Sequence, residues 1–520
     1  MNNNDFYNNL WKLLDKQRGS MDLHKYKEIC FDLIFLLAIN RKFEQQKSEL
    51  DPEDREDPDY YDLWLAEESR WDYISKNANT NNFNQIIYNA LDKIENYNTD
   101  YRDLTHKGTF LSKNLDFQKL STIFHDFDNA FAQKEGKLQL DYLGNAYQFF
   151  LQQFAASSGR TGGEFYTPAC VVQLLVNILQ PFPRKDYEIV IYDPCCGSGG
   201  MFVQSQEFIN KNKKGNGNNA YKPLCLGQEI DDSTWKLSRM NLLIHGLKFY
   251  LGSRAEDTFK EDLHLNKNAD YIITNPPFNI ANDQIKEDDP RWKWGTPPKN
   301  DANFAWIEHC LSKLNEKGVA TIIMANGTLS GLNKKAAAIR QNLVEKNLVE
   351  TIITLPNNLF YTTGIAPCIW ILRKDRWNEK VLMVDISQDD FGEKISSSQR
   401  ILTEKNIQEV AEIYHQFREK QIILENGYGV YQNPAGSFDK DPLSAKIVSV
   451  EEIRENNFIL VPARYLSQNE IELTPQQIDE KLLNLTTELE NLINQQDNYH
   501  QELKKLLAEV KREIKNEPEK

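Results

Sequence analysis

Short apolar runs and longer amphipathic stretches alternate through the middle of this 520-residue chain. The runs are rich in β-branched residues and stop at turn residues, which is typical of buried strands between helices. They predict strands at 188–192, 249–251, 270–274, 318–324 and 351–356, one more that ends in acid at 229–231, and a final antiparallel pair at 368–372 and 381–384. This alternation predicts a doubly wound α/β sheet with helices on both faces.

The two ends of the chain follow a helical pattern instead. Apolar residues at steps of three and four predict helices at 25–44 and 141–155, and the chain becomes helical and polar again from about residue 401. We therefore predict an α-helical N-terminal domain at 1–155, a sheet domain at 156–400 and a helical C-terminal region at 401–520.

The end of the chain carries a long apolar seam. Thr474-Pro475-Gln476-Gln477 is a capping box with proline at the first helical position. A four–three alternation follows, with Gln496 as its only polar gap, at Ile478, Leu482, Leu485, Leu489, Leu492, Tyr499, Leu503, Leu506 and Val510. This pattern predicts a coiled-coil tail at 472–515 that pairs with a partner helix, in cis or in trans. Packing on its own domain is the alternative.

The predicted strand at 270–274 runs directly into Asn275-Pro276-Pro277-Phe278. Two consecutive prolines cannot continue a strand, so the chain must leave the sheet in a stiff turn. That turn places Asn275 and Phe278 at the carboxyl end of the strand, where open α/β sheets bind their ligands. The alternative to a binding site is an ordinary turn that ends the strand. The motif resembles the catalytic motif of S-adenosylmethionine-dependent amino-group methyltransferases, above all the DNA adenine-N6 enzymes.

The chemistry of that reaction explains these residue types. An exocyclic amine on adenine is a poor nucleophile because the ring delocalises its lone pair. The side-chain carbonyl of Asn275 and the backbone carbonyl of Pro276 can accept its two N–H bonds and favour a pyramidal nitrogen, with the prolines holding the geometry. Phe278 offers a face on which a base turned out of the duplex can stack.

A glycine turn follows the strand at 188–192, in the run Asp193-Pro194-Cys195-Cys196-Gly197-Ser198-Gly199-Gly200. Strand, glycine turn and helix form a nucleotide-binding arrangement. Phe202 occupies the position of the third glycine in Gly-x-Gly-x-x-Gly, which weakens a dinucleotide interpretation; the run matches the methyltransferase pattern Asp-Pro-x-x-Gly-x-Gly-Gly. Pro-Cys is also the nucleophile motif of cytosine-C5 methyltransferases, but here it lies in the cofactor turn, so we interpret both cysteines as packing residues.

Further cofactor contacts are expected from three other segments. A carboxylate at the end of a second strand can take both ribose hydroxyls, which favours Glu229, with Asp231 in reserve or as a helix cap. The resemblance implies that Asp257 holds the adenine amino group, although Glu256 is adjacent. It also implies that the stretch Glu164-Phe165-Tyr166-Thr167-Pro168-Ala169 lies against the methionine part of the cofactor.

Composition limits the possible partners. The chain carries a formal net charge of −15, which is awkward for a protein that grips DNA alone. Most of the affinity for DNA must then come from a local basic cleft or from a partner protein. We favour the partner. Its apolar runs are too short to span a membrane, its start lacks the features of a signal peptide, and its scattered histidines and unpaired cysteine spacing favour no metal. We expect a cytoplasmic protein with reduced thiols.

Further short motifs extend the resemblance to a known family over most of residues 17–466, and they occur in the same order as in that family. They occur at 18–22, 26–27, 33–36, 70–74, 355–360 and 461–465. They resemble the methylation subunits of type I restriction-modification systems. The resemblance implies an S-adenosylmethionine-dependent adenine methyltransferase, a separate specificity subunit flanked by two methylation subunits, double-stranded DNA as substrate, and a nuclease-motor subunit that can join.

Two other functions remain open from the residues alone. One is a stand-alone methyltransferase that acts on glutamine in a protein, since Asn-Pro-Pro-aromatic occurs there too. The other is a Rossmann-type dehydrogenase or a non-catalytic assembly protein. The excursion at 279–300, with Arg291-Trp292-Lys293-Trp294, could meet DNA near the extruded base or be a solvated or partner-bound loop.

Overall fold

A twisted central sheet is built from the apolar runs of the middle of the chain. The computed structural model describes residues 3–19, 21–112, 115–132, 137–158, 167–182, 187–212, 222–360, 366–376, 379–388, 391–396, 399–418, 422–425, 428–431 and 444–466, with isolated residues beyond. The chain divides into two units, Met1–Tyr465 and Leu466–Lys520. Among the described residues no helix is long and apolar enough to cross a membrane.

The strands of the central sheet follow the predicted order along the chain. They are β1 (Val190–Asp193), β2 (Leu224–Gly227), β3 (Lys248–Tyr250), β4 (Ala269–Thr274), β5 (Leu314–Ala325), β6 (Val349–Thr354), β7 (Pro367–Arg373) and β8 (Lys380–Asp385). Two hairpins follow, β9 (Glu393–Ser396) with β10 (Gln399–Ile401) and β11 (Ile422–Glu425) with β12 (Tyr428–Tyr431), and then β13 (Ala445–Ser449).

The described part of the sheet has nine strands in the order β13-β8-β6-β7-β5-β4-β1-β2-β3. The strands from β3 to β5 are parallel, and β1 lies between β2 and β4. Because all five carboxyl ends meet at one edge, the residues that follow β1, β2 and β4 are brought together. This is the edge at which open sheets bind ligands.

The prediction of an antiparallel pair at 368–372 and 381–384 is wrong. Strand β7 instead lies antiparallel between β5 and β6, and β8 runs parallel to β6 on its other side. Every residue of β7 is buried, as its unbroken apolar run requires of a central strand. Consecutive apolar runs carry no information about which strand each will pair with, so the nearest pairing in sequence was the wrong one.

The helical prediction after residue 401 is correct for Glu404–Arg418 and Val450–Glu455 and wrong for β11, β12 and β13. Strand β13 pairs antiparallel with the outer edge of β8. Its Ala445 and Val448 are buried against the sheet, while the residues between them are half exposed. The central sheet therefore extends past the predicted boundary at residue 400.

Helices cover both faces of the sheet, as predicted. They are α7 (Ala169–Leu179), α8 (Gly200–Lys211), α9 (Asp232–Ile244), α10 (Asn303–Lys313), α11 (Gly327–Ser330), α12 (Lys334–Glu345), α13 (Glu404–Arg418) and α14 (Val450–Glu455). Tyr271 and Ile273 pack into the layer of α7 and α13, and Ile272 into that of α10 and α12. Alternate residues of one strand thus feed two cores.

The N-terminal part is helical, as predicted. Its helices are α1 (Asn3–Arg18), α2 (Leu23–Glu49), α3 (Trp71–Lys76), α4 (Phe83–Tyr97), α5 (Phe117–Ala132) and α6 (Lys137–Ser158). Its core includes Leu237 and Met240 of α9, so the helical domain packs directly on one helix of the sheet domain. Of the predicted coiled-coil tail at 472–515 the structure describes only isolated residues, with Gln496 alone among the seam positions, and the coiled coil stays a prediction.

Candidate active site

The Asn-Pro-Pro-Phe corner leaves the sheet directly at the carboxyl end of β4. The Asn275 side chain is fixed by its Nδ2, which donates to Thr167 Oγ1 at 2.9 Å. Its Oδ1 is buried and accepts no hydrogen bond from any residue that the structure describes. An orphan buried acceptor is costly and uncommon in folded proteins. The corner therefore presents an oxygen that lacks its natural partner.

The chain that follows this corner is held by a pair of amide side chains, those of Asn279 and Asn303. Asn279 adopts the left-handed backbone conformation, with φ 55°. Its backbone N–H donates to Asn303 Oδ1 at 3.0 Å, and Asn303 Nδ2 donates to Asn279 Oδ1 at 2.8 Å. The half-buried ring of Phe278 meets Phe360 edge to face, with centroids 6.4 Å apart. The motif is thus stiffened by hydrogen bonds as well as by its prolines.

The glycine turn after β1 needs its glycines for two reasons. Gly197 and Gly199 have φ of +53° and +79°, a region that side chains disfavour. A Cβ on Gly199 would also lie 2.8 Å from Ser238 Oγ of α9. Gly200 then opens α8, whose N-terminus favours an anionic group such as a carboxylate.

Asp193 lies under this turn. Its Oδ1 accepts hydrogen bonds from Cys195 N at 3.1 Å and from Thr274 Oγ1 at 2.6 Å, which ties the end of β1 to the end of β4. Burial raises the pKa of Asp193 to about 7. Burial also raises the pKa of the Cys195 thiol well above its ordinary value, which is the opposite of what a cysteine nucleophile needs.

Glu229 follows β2 and reaches the same turn. Its Oε2 accepts from Gly197 N at 3.0 Å, and its Oε1 accepts from the backbone N–H groups of Ile230 and Asp231 at 2.9 and 3.0 Å. Burial raises the pKa of Glu229 despite these donors. The Asp231 carboxylate accepts from Thr234 N at 2.8 Å and caps α9, so the helix-capping interpretation fits Asp231.

Asp257 is oriented by two donors. Phe259 N donates to its Oδ1 at 2.7 Å, and Asn282 Nδ2 donates to its Oδ2 at 3.1 Å. Glu256, the adjacent candidate, instead pairs with Arg254 at 3.3 Å and Lys260 at 3.0 Å, both exposed. The geometry therefore favours Asp257 over Glu256 as the residue that faces a ligand.

One cavity of about 350 Å³ connects the predicted segments. That volume lies in the range of small-molecule sites, roughly 300–1,000 Å³. Among the predicted residues its walls include Gly197, Ser198, Glu229, Asp257, Asn275 and Pro277. A smaller cavity of about 50 Å³ lies beside Thr167, Asp193, Gly197, Ser198, Gly200 and Asn275. The two motifs on which the sequence argument depends thus line common spaces.

The remaining predicted contacts are placed only in part. Glu164, Phe165 and Tyr166 lie outside the described residues. Thr167 is the hydrogen-bond partner of Asn275, Pro168 is the N-cap of α7, and Ala169 is the first residue of that helix. The structure describes no group of three or more His, Cys, Asp or Glu side chains that could hold a metal ion.

Several residues that line the cavity were not predicted from the sequence. Lys27 comes from α2, and Leu151 and Ala155 come from α6; nothing in their local pattern points to a site. Ile280 and Asn282 also line the cavity. They directly follow the Asn-Pro-Pro-Phe motif, so their proximity was the one signal that could have found them.

The excursion at 279–300 packs on the protein itself. The Arg291 guanidinium donates to Thr258 O at 2.8 Å and to Phe259 O at 3.0 Å, and it pairs with Asp289 at 2.5 Å. The Trp292 side chain is buried, in a cluster with Phe259. Arg291 and Trp292 are thus turned toward the protein, where both brace the segment that follows Asp257.

A doubly wound sheet, a glycine turn after its first strand and an amide acceptor on a proline corner define the class of the amino-group methyltransferases. The sequence profile of the N-6 DNA methylase family matches residues 138–473, and that of the HsdM N-terminal domain matches residues 6–133. The chain belongs to the N-6 DNA methylase family, as a methylation subunit of the type I restriction-modification kind.

Individual relatives agree with this assignment over most of the chain. The type I restriction enzyme MjaIX methylase subunit of Methanocaldococcus jannaschii is 30% identical over 97% of this chain and 91% of its own length. The HindI methylase subunit of Haemophilus influenzae is 34% identical over 71% of this chain and 78% of its own. The crystal structure of a type I methyltransferase subunit from Streptococcus thermophilus superposes with a TM-score of 0.73 at 25% identity, covering 90% of this chain and 100% of that one.

Proposed function

We propose that this chain transfers the methyl group of S-adenosylmethionine to N6 of adenine in double-stranded DNA, at a site chosen by a separate specificity subunit. The observation that carries the proposal is the orphan acceptor. Asn275 Oδ1 is buried without a partner among the described residues, and Asn275 lines the cavity that Gly197 and Asp257 also line. A ligand N–H group is the partner that such an oxygen lacks.

The residues of the cavity suit a class I methyltransferase cofactor. When bound, S-adenosylmethionine supplies an electrophilic methyl group on its sulfonium. Glu229 would accept from the ribose hydroxyls and Asp257 from the adenine amine, since each carboxylate lines the cavity. Gly197 to Gly200 would hold the methionine carboxylate at the N-terminus of α8. The stretch at 164–169 would cover the methionine part, with Thr167 already bonded to Asn275.

The protein's own contribution to the reaction is orientation. Asn275 Oδ1 and the Pro276 carbonyl accept the two N–H bonds of the target amine and favour the pyramidal form, whose lone pair points at the methyl donor. Pro277 keeps the corner stiff, and Phe278 supplies the face on which the extruded base stacks. Transfer is direct, without a covalent enzyme intermediate.

The proposed assembly is the one that the type I family implies, and the charge of the chain is consistent with it. A net charge of −15 leaves the grip on DNA to a partner. We propose a cytoplasmic complex in which two methylation subunits flank one specificity subunit, a nuclease-translocase subunit can join, and methylation protects host DNA. The predicted coiled-coil tail at 472–515 would be one of the contacts.

The test is methyl transfer in the reconstituted complex. The chain is combined with its specificity subunit, plasmid DNA, a protein mixture and S-adenosylmethionine carrying a labelled methyl group. Label is expected in DNA alone, as N6-methyladenine after digestion to nucleosides. Label in glutamine of the protein fraction, with none in DNA, would replace this proposal with the protein-methylating alternative.

A further inference from the structure

Helix α9 lies between the N-terminal helical domain and the glycine turn. On its outer side Ser233 Oγ lies 3.1 Å from His106 Nε2, and Leu237 O accepts from Tyr147 OH at 2.9 Å. Arg239 donates to Arg102 O at 2.7 Å. Three bonds spread along one helix therefore fix it to the N-terminal domain.

A fourth link crosses α9 and reaches the glycine turn. Gln148 Nε2 of α6 donates to Asn241 Oδ1 at 2.8 Å, and Asn241 Nδ2 donates to Ser198 O at 2.7 Å. Asn241 is fully buried. Because the amide must accept on one side and donate on the other, only one of its two orientations satisfies both bonds. Because Ser198 O can only accept, it fixes the direction in which Asn241 donates, and Gln148 supplies the donor for the buried Oδ1 that is left.

The peptide that this relay reaches belongs to the turn. Ser198 O and Gly199 N are the two ends of one peptide unit, and Gly199 N donates to Cys196 O at 2.9 Å. With both ends bonded, the peptide plane cannot rotate. One of its two anchors runs through Asn241 to the N-terminal domain, so the shape of the turn depends on a residue outside the sheet.

The same domain also supplies a wall of the cavity. Lys27 of α2 and Leu151 and Ala155 of α6 line it together with Gly197 and Ser198 of the glycine turn. They are 5, 5 and 6% exposed. A ligand that fills this cavity would therefore contact the helical domain as well as the sheet.

We infer that helix α6, together with Lys27 of α2, is part of the S-adenosylmethionine site. It closes one wall through Ala155 and its neighbours, and Gln148 is a positioning residue that sets the glycine turn through Asn241. The inference rests on the proposed donor site, because it assigns a second structural element to that cavity.

The first test removes the relay from the full-length chain. Gln148→Leu takes away the donor to Asn241 Oδ1 and weakens the anchor that holds the turn, which is expected to raise the Kd for S-adenosylmethionine about 10-fold, the effect of losing roughly one buried hydrogen bond. Gln85→Leu is the matched control, since Gln85 donates to Asn89 Oδ1 at 2.9 Å on the exposed surface of α4. That variant should bind like the unaltered chain.

A purely structural role gives a different result. It would lower the Tm of Gln148→Leu and leave its Kd within twofold of the unaltered chain, which would overturn the relay. In a double-mutant cycle, Gln148→Leu should add nothing to the Kd of Asn241→Ala, because the path to the turn is already cut. Additive effects would also contradict the relay.

The second test addresses the cavity wall, and it remains informative if the Gln148→Leu variant fails to fold. Ala155→Phe places a ring in the cavity, where space is available, and should reduce S-adenosylmethionine binding at least 10-fold. Ala156→Phe, at the exposed neighbouring position, is the control. If the unaltered chain fails to bind S-adenosylmethionine, the proposed function fails; if it binds and both Gln148→Leu and Ala155→Phe bind equally well, only this inference fails.

Discussion

Asn275→Ala separates the stability of the site from its activity more sharply than any other substitution. Among the residues that the structure describes, Asn275 makes one side-chain hydrogen bond, to Thr167, and its buried Oδ1 has no partner. Alanine removes both features. The residue that matters most for the reaction is therefore expected to matter little, or adversely, for the folded state.

The two contributions can be compared in magnitude. Losing the bond to Thr167 costs about 0.5–1.5 kcal/mol, and removing an unsatisfied buried acceptor recovers about 1–3 kcal/mol. The net change in unfolding free energy is expected between about 0.5 kcal/mol against the variant and about 2.5 kcal/mol in its favour. Activity changes in the opposite direction, because removing a preorganised group that acts on the reacting atoms typically costs 10²–10³ in kcat.

Two measurements check this prediction. Thermal unfolding of Asn275→Ala without ligand should give a Tm equal to or above that of the unaltered chain. In the reconstituted complex, single-turnover methylation of DNA should be at least about 100-fold slower at saturating S-adenosylmethionine. A variant that keeps its methylation rate, or one that unfolds several degrees lower, would refute the acceptor role.

Three further predictions follow from the same geometry. Burial raises the pKa of Asp193 to about 7, so the folded protein binds an extra proton and loses stability as pH rises from about 4 to 7; Asp193→Asn should raise the Tm at pH 8 and leave it unchanged at pH 4. Gly199→Ala should destabilise the protein by about 1–2 kcal/mol in thermal unfolding, whereas Gly200→Ala, with open space around its Cβ and no positive φ, should not. Arg291→Lys should raise the Kd for S-adenosylmethionine and leave DNA affinity of the complex unchanged, whereas a DNA-contacting role predicts the reverse; Lys293→Ala, exposed in the same excursion, is the control.

Structural features that depend on a short stretch of sequence could be predicted. The strands β1 to β8, the glycine turn and the proline corner each depend on local residue preferences, and parallel strands then bring Asp193, Glu229 and Asn275 to one edge without further information. The positive φ of Gly199 and the helix-capping role of Asp231 also follow from local chemistry.

Features that depend on distant pairing could not be predicted. Strand β7 inserts between β5 and β6, and β13 adds to β8. The apolar pattern of a strand does not determine which other strand it pairs with. The same holds for the cavity wall formed by Leu151 and Ala155, since it depends on how two domains meet. The tryptophan-rich excursion has the composition of a surface loop, and only its packing on Phe259 shows that it braces the site.

The late arrival of β13 has a consequence for synthesis on the ribosome. Strand β8 is complete at Asp385, but the strand that covers its outer edge is added only when Ala445–Ser449 has emerged. During that interval a nascent chain presents an open, apolar strand edge, the kind of surface that recruits other strands. Products of premature termination between these points are therefore expected to aggregate, even though the glycine turn and the Asn-Pro-Pro-Phe motif have already been translated.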